Sequence, residues 1–99
     1  MRGADHAAVR HILSSPAIAE RTAPHIGEDG FDWYPLLLEA ETMSNGERLL
    51  VRIAYDLWHT EGGVALCEVS GRLGPSGFRR VMQALEVSRG EPAALDAAA

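Results

Sequence analysis

The sequence predicts an all-α fold, a small bundle of five or six helices with a helix over 45–60 at its centre. The first observation is a complete helix-start signal, because Ser44 can accept the backbone N–H of Glu47 while the Glu47 carboxylate reaches back to the N–H of Ser44. The second is the pattern that follows, which is apolar over most of the helix circumference. Such a helix must be covered on several sides, so we place it at the centre. Its polar side chains form one narrow stripe: Arg48, Arg52, Asp56 and His59.

Two helices are predicted near the start of the chain. Asp5 is a plausible N-cap for a helix over 5–13, which has a short apolar seam at helical spacing. Pro16 suits the first position of a helix, so Ser15 as cap and Pro16 as first residue predict a short second helix over 16–22. The glycine-rich segment 25–30 is expected to be a loop.

A third helix is predicted from Phe31 or Asp32 to Thr42, with a very short connection to the central helix. Pro35 falls early enough to lie in its first turn. Its core-facing set is assigned as Phe31, Tyr34, Leu37 and Leu38, with Trp33 and Leu36 flanking.

Two further segments complete the bundle. The segment 64–73 has apolar residues at spacings of three and four, which favours a helix, although residue preference also allows a short strand. A last helix over 77–89 is predicted with Ser76 as its cap. Its core stripe is assigned as Phe78, Val81, Met82 and Leu85. One helical domain over 1–90 is therefore expected, with 91–99 as a flexible tail.

Composition narrows the classes of function and location. The chain of 99 residues carries a net charge of −5, which disfavours a general role in nucleic-acid binding. Cys67 is its one cysteine, so an internal disulfide is excluded, and a reducing compartment is favoured. We find no leader sequence and no apolar run of the roughly 18 to 20 residues that a membrane span needs. The sequence therefore predicts a cytoplasmic protein without membrane contact.

Charges of opposite sign are segregated along the chain. Five acids and no base lie between residues 28 and 41, and four arginines lie between residues 64 and 90. Solvated helix faces are the ordinary explanation of such runs. The alternative is that the acidic and basic segments meet, within one chain or between two copies.

Patterns that support catalysis or cofactor binding are weak. His6 and His11 are five residues apart, which does not bring them together on a helix face, and zinc-site spacings are missing. Cys67 lies among apolar residues and is expected to be a small buried hydrophobic side chain. The chain has no lysine and no phosphate-binding loop. We therefore expect no metal, no cofactor and no enzymatic activity.

One segment resembles a nucleic-acid-binding arrangement in outline. Two short helices within 64–89, joined by a glycine-bearing turn, could form a helix-turn-helix with Arg79 and Arg80 at the start of the second helix. Arg80 and Gln83 fall where core positions are expected, however, and the acidic net charge opposes this alternative.

The sequence thus predicts a small non-catalytic interaction or regulatory module, with a DNA-binding regulator as the alternative. Aromatic side chains anchor interfaces, and a thin core leaves apolar surface that a homodimer could cover. The candidate contact surface combines the acidic segment with arginines of the last helix or with a foreign basic patch. Its residues are Trp33, Tyr34, Glu39, Glu41, Arg79 and Arg80.

Overall fold

Six α-helices and one 3₁₀ helix make up the described part of the chain. This computed structural model describes residues 2–90, with side chains from Asp5 onward, so the tail expected over 91–99 lies outside the described residues. The helices are α1 (Arg2–Leu13), α2 (Ala19–Thr22), the 3₁₀ helix (Ala23–His25), α3 (Trp33–Ala40), α4 (Asn45–His59), α5 (Leu66–Arg72) and α6 (Pro75–Ser88). The all-α prediction is confirmed.

Helix α4 lies at the centre, as predicted, and packs against α1, α3, α5 and α6. Both hydrogen bonds of its capping box are present: Glu47 N–H donates to Ser44 Oγ at 3.3 Å, and Ser44 N–H donates to Glu47 Oε1 at 3.1 Å. The helix contributes a buried set of five residues to the core: Leu49, Leu50, Val51, Ile53 and Ala54.

Helix α1 contributes four residues to the core, one fewer than α4. Ala8, Val9, Ile12 and Leu13 have no exposed surface, and α1 packs against both α4 and α6. Two polar contacts hold α6 against α1: His11 Nε2 is hydrogen-bonded to Gln83 Oε1 at 2.8 Å, and Arg80 donates to the carbonyl of His11 at 2.6 Å.

The start of the chain differs from the prediction. Helix α1 begins at Arg2, so Asp5 is not its cap but lies in the first turn, where its charge favours the helix dipole. The Ser15 hydroxyl donates to the Ile12 carbonyl at 2.7 Å and so closes α1 instead of opening the next helix. Pro16 lies in a turn, and α2 begins three residues later at Ala19.

Helix α3 is shorter than expected, and its core-facing set was assigned correctly for Phe31 and Leu37 but wrongly for Tyr34 and Leu38. Leu36 and Ala40 are its buried residues, with Trp33 and Leu37 partly buried on the same side. These four positions form one helical stripe at spacings of three and four. Tyr34 and Leu38, which were assigned to the core, lie on the opposite side and are 77% and 47% exposed.

The C-terminal part of the chain decides between helix and strand for one segment and corrects the predicted cap and core residues of the last helix. The segment expected over 64–73 is a helix, α5, and not a strand. Cys67, which was expected to be buried, is exposed on this helix. Helix α6 begins with Gly74 as its cap and Pro75 as its first residue, so Ser76 is not the cap; proline fits there because its fixed φ and missing N–H cost the first turn nothing. Phe78 and Leu85 are 39% and 40% exposed and lie outside the core.

Candidate interaction surface

The outer side of α3 carries an exposed apolar pair. Tyr34 and Leu38 are four residues apart, and Glu41 follows three residues later in helical geometry (φ −63°, ψ −23°). Residues at these spacings share one face of a helix. We call Tyr34, Leu38 and Glu41 the α3 stripe.

Two arginines hold the end of α3 in place. Arg48 of α4 donates through Nε to the Ala40 carbonyl at 3.1 Å and through its terminal nitrogen to the carbonyls of Glu41 and Met43 at 3.4 Å. These carbonyls belong to the groups that a helix end leaves without intrahelical partners. The α3 stripe is therefore displayed on a helix whose C-terminal end is fixed by hydrogen bonds.

Arg21 supplies the second clamp, from α2. Its Nε donates to Glu39 Oε1 at 2.8 Å, and its terminal nitrogen donates to the Glu39 carbonyl at 3.2 Å and to the Thr42 hydroxyl. The ion pair is about two-fifths exposed on each side, so its main effect is on geometry rather than on stability. Glu39 is thus engaged within the chain.

A cluster of aromatic rings lies beneath the start of α3. The Trp33 ring centroid lies 5.3 Å from Phe31, 5.1 Å from Tyr55 and 5.8 Å from His59. Trp33 Nε1 is buried and has no hydrogen-bond partner among the described residues. Because its ring is packed on three sides, Trp33 supports the α3 stripe from below rather than forming part of the exposed surface.

The same cluster reaches α1 and the end of α4. His6 stacks on Phe31 with centroids 4.6 Å apart, and Phe31 meets Trp58 edge-on at 5.1 Å. His6 also donates to the Gly27 carbonyl at 2.8 Å, which ties the loop before α3 to α1. Four of the five aromatic residues near these helices are therefore in the cluster, and Tyr34 is the one that points outward.

The two arginines predicted for the contact surface have different surroundings. Arg80 is partly buried and donates to the His11 carbonyl, which closes the last turn of α1. Arg79 is exposed, and within residues 5–90 no ion-pair or hydrogen-bond partner is found for its guanidinium or for the Glu41 carboxylate. The structure therefore leaves Tyr34, Glu41 and Arg79 open, and engages Trp33, Glu39 and Arg80 internally.

A second exposed stripe on α6 was missed because its members were assigned to the core. Phe78, Met82 and Leu85 follow the spacing of four and three, with Phe78 and Leu85 exposed and Met82 partly buried. We call these three residues the α6 stripe. The core face of α6 is formed by Val81, as predicted, together with Ala84 and Val87, and Met82 packs against it. Both faces have helical periodicity, so the sequence pattern alone could not distinguish them.

Arg52, the second arginine of the α4 polar stripe, connects α4 to α5. Arg52 donates to the carbonyls of Gly62 and Gly63 and, at 3.4 Å, to Glu68 Oε2. Glu68 also accepts the Ala65 N–H at 3.0 Å, and this backbone hydrogen bond, reinforced by Arg52, lowers the pKa of the Glu68 carboxyl despite some desolvation. These contacts stabilise the connection and orient α5.

The described residues form one notable groove and no cluster of metal-binding side chains. An open groove of about 520 Å³ lies between the N-terminal ends of α4 and α6, but Ser44 and Glu47 in its wall are used by the capping box. Among the described side chains, no group of three or more histidine, cysteine or acidic residues could hold a metal ion. None of the described helices combines the length and apolar character that crossing a bilayer requires.

Comparisons with known proteins add no assignment to this geometry. No protein-family model, curated protein or solved structure matches the chain.

Proposed function

We propose that the protein is a non-catalytic interaction module that binds a protein partner through the α3 stripe. The observation that carries this proposal is the exposure of Tyr34 and Leu38 on one face of a helix, 77% and 47%, where the neighbouring Leu36 is fully buried. Tyrosine combines a large apolar area with a hydroxyl group and is enriched among residues that dominate binding energy.

Rigid display supports the same proposal. Binding costs less when the contacting side chains are already held in place, because less conformational entropy is lost on association. The clamps formed by Arg21 and Arg48 fix the end of α3, and the aromatic cluster fixes its start. A partner would recognise the stripe as an apolar ridge with an acidic end at Glu41, in the helix-in-groove mode.

Photo-crosslinking tests this proposal at the level of single residues. A photo-reactive phenylalanine derivative replaces Tyr34 in one variant and the exposed Glu61, in the connection between α4 and α5, in a control variant. We expect crosslinked protein adducts in native lysate from position 34 and not from position 61, with loss of the adduct when Leu38→Asp is added. Equal labelling from both positions, or none from position 34, would contradict the proposal.

DNA binding by α5 and α6 is the second candidate, favoured by the exposure of Arg72 and Arg79 on two helices joined by a short turn. Its support is narrower, because Arg80 is bound to the α1 carbonyl and the net charge is −5. A mobility shift at low salt that is lost in Arg72→Ala with Arg79→Ala would support it. The absence of any shift at low salt would eliminate it.

A further inference from the structure

The α3 stripe and the α6 stripe have matching form. Each consists of three side chains at spacings of four and three, Tyr34, Leu38 and Glu41 on one and Phe78, Met82 and Leu85 on the other. At 1.5 Å per residue, each extends over roughly 10 Å of helix. Both carry exposed apolar side chains, so each stripe needs a covering surface of the kind that the other provides.

The charges at the two stripes are complementary and are not neutralised by any side chain between residues 5 and 90. Glu41 ends the α3 stripe, and Arg79 lies beside Phe78 at the start of the α6 stripe, both exposed. The ion pairs found among the described residues use other groups, Arg21 with Glu39 and Arg52 with Glu68. The acidic and basic surfaces therefore remain available to a second molecule.

We infer that the partner of the α3 stripe is the α6 stripe of a second copy of this chain, docked antiparallel. This inference rests on the proposed function and names its partner. An antiparallel arrangement brings Glu41 next to Arg79 of the second copy and leaves Tyr34 next to Leu85. A parallel arrangement would bring Glu41 next to Glu86, which is also exposed, and like charges at that distance repel.

The helix dipoles favour the same direction. In the antiparallel arrangement the C-terminal end of α3, which carries partial negative charge, lies beside the N-terminal end of α6, which carries partial positive charge. A stable interface buries about 1,200 to 2,000 Å² in total, more than one pair of three-residue stripes supplies. The inferred dimer has two-fold symmetry, in which each copy contributes both stripes and the contact is made twice, which would bring the area toward that range.

Charge-reversal variants distinguish this contact from any other mode of self-association. In a Glu41→Arg protein the introduced guanidinium faces Arg79 of the other copy, and in an Arg79→Glu protein two carboxylates face each other. An exposed pair changes affinity about three-fold, so a contact made twice weakens dimerisation by about ten-fold in either variant. In an equimolar mixture, a dimer of one copy of each variant has one contact with the original pair of Glu41 and Arg79 and one contact in which the two charges are exchanged, so the mixture should associate more tightly than either variant alone.

Sedimentation over about 1 to 100 μM, a range that covers weak dimers, measures these effects. We expect the mass of the unaltered protein to rise from 10.7 kDa toward twice that value, the same rise to require about ten-fold higher concentration in each variant, and the mixture to associate at the concentrations of the unaltered protein. Glu61→Arg and Arg72→Glu are matched controls that change the same charges at exposed sites elsewhere, and both should dimerise normally. Circular dichroism verifies that every variant is folded.

The outcomes distinguish this inference from the function on which it rests. A monomer at every concentration, or a dimer that neither charge reversal weakens, would overturn the self-association. If position 34 then still crosslinks to a different protein, the proposed function stands without this partner. If it crosslinks to no protein, both fail.

Discussion

Replacing Gly62 with alanine should strongly destabilise the fold at the connection between α4 and α5, although the change adds only one methyl group. A Cβ atom at position 62 would lie 2.4 Å from the carbonyl oxygen of Arg52 and 2.4 Å from the Cβ of Asp56. It would also lie 2.9 Å from the Asp56 backbone nitrogen. Two of these atoms belong to the backbone of α4, which cannot move without disturbing the central helix.

The expected cost has two parts. Forcing a methyl group into a filled site costs about 1–3 kcal/mol. Moving Gly62 away also breaks or strains its N–H hydrogen bond to Asp56 Oδ1, now 2.9 Å, at about 1 kcal/mol. We therefore expect a loss of about 2–4 kcal/mol, out of a total stability of about 5–15 kcal/mol for a domain of this size. The melting temperature should fall by roughly 10–25 °C.

Gly71→Ala is the matched control, because it adds the same methyl group inside α5 where no atom lies within 4 Å. Alanine is the better helix former, so this variant should be unchanged or more stable by about 0.5 kcal/mol. Urea unfolding followed by circular dichroism gives both values. Similar unfolding midpoints for the two variants would show that the close approach of Gly62 to α4 is misjudged.

Three further predictions use the same measurements. Thr60 holds φ +62° at the end of α4, so Thr60→Gly should raise the free energy of unfolding by about 1 kcal/mol, and a loss of stability would contradict this. The fold holds the pKa of Glu68 below its usual value of 4.5, so the stability that its carboxylate contributes is present above the pKa of the unfolded chain and is lost as pH falls through the folded pKa. Below about pH 4.5, the melting temperature of Glu68→Gln should therefore fall less steeply with pH than that of the unaltered protein. Ile53→Asp places a carboxylate in the core, costs several kcal/mol and should abolish cooperative melting, unless the packing of α4 is wrong.

The central helix was predictable because two independent signals agree over one segment. The pair Ser44 and Glu47 marks the start, and fifteen residues of one period follow. The helical state of α5 was also predictable, because a strand in that segment would have had no pairing partner.

The orientation of α3 was not predictable, because Leu36, Leu37 and Leu38 are consecutive and apolar. Such a run offers nearly equal apolar faces at two rotations of a short helix. Packing against α4 decides between them, and it selects the face that carries the small Ala40. The face turned away from α4 carries Tyr34 and Leu38 and is the candidate interaction surface. The wrong rotation predicted for α3 and the absence of Leu38 from the predicted contact surface therefore have the same cause.

The start of α2 shows a different limit. A serine before a proline is a usual helix-start pattern, but the same hydroxyl can also bond to a carbonyl three residues earlier. The Ser15 hydroxyl makes the second kind of bond, since it donates to the Ile12 carbonyl at the end of α1. A serine before a proline can therefore start the next helix or end the preceding one, and the position of the preceding helix decides which hydrogen bond forms.

Both tryptophans of the chain belong to the ring cluster at the junction of α1, α3 and α4. Intrinsic fluorescence therefore monitors that end of the molecule, whereas far-ultraviolet dichroism averages over every helix. An unfolding transition recorded by the two methods on one sample would coincide if the bundle melts as one unit. A dichroism signal that is lost first would identify α5, which buries no residue completely, as a separately melting element.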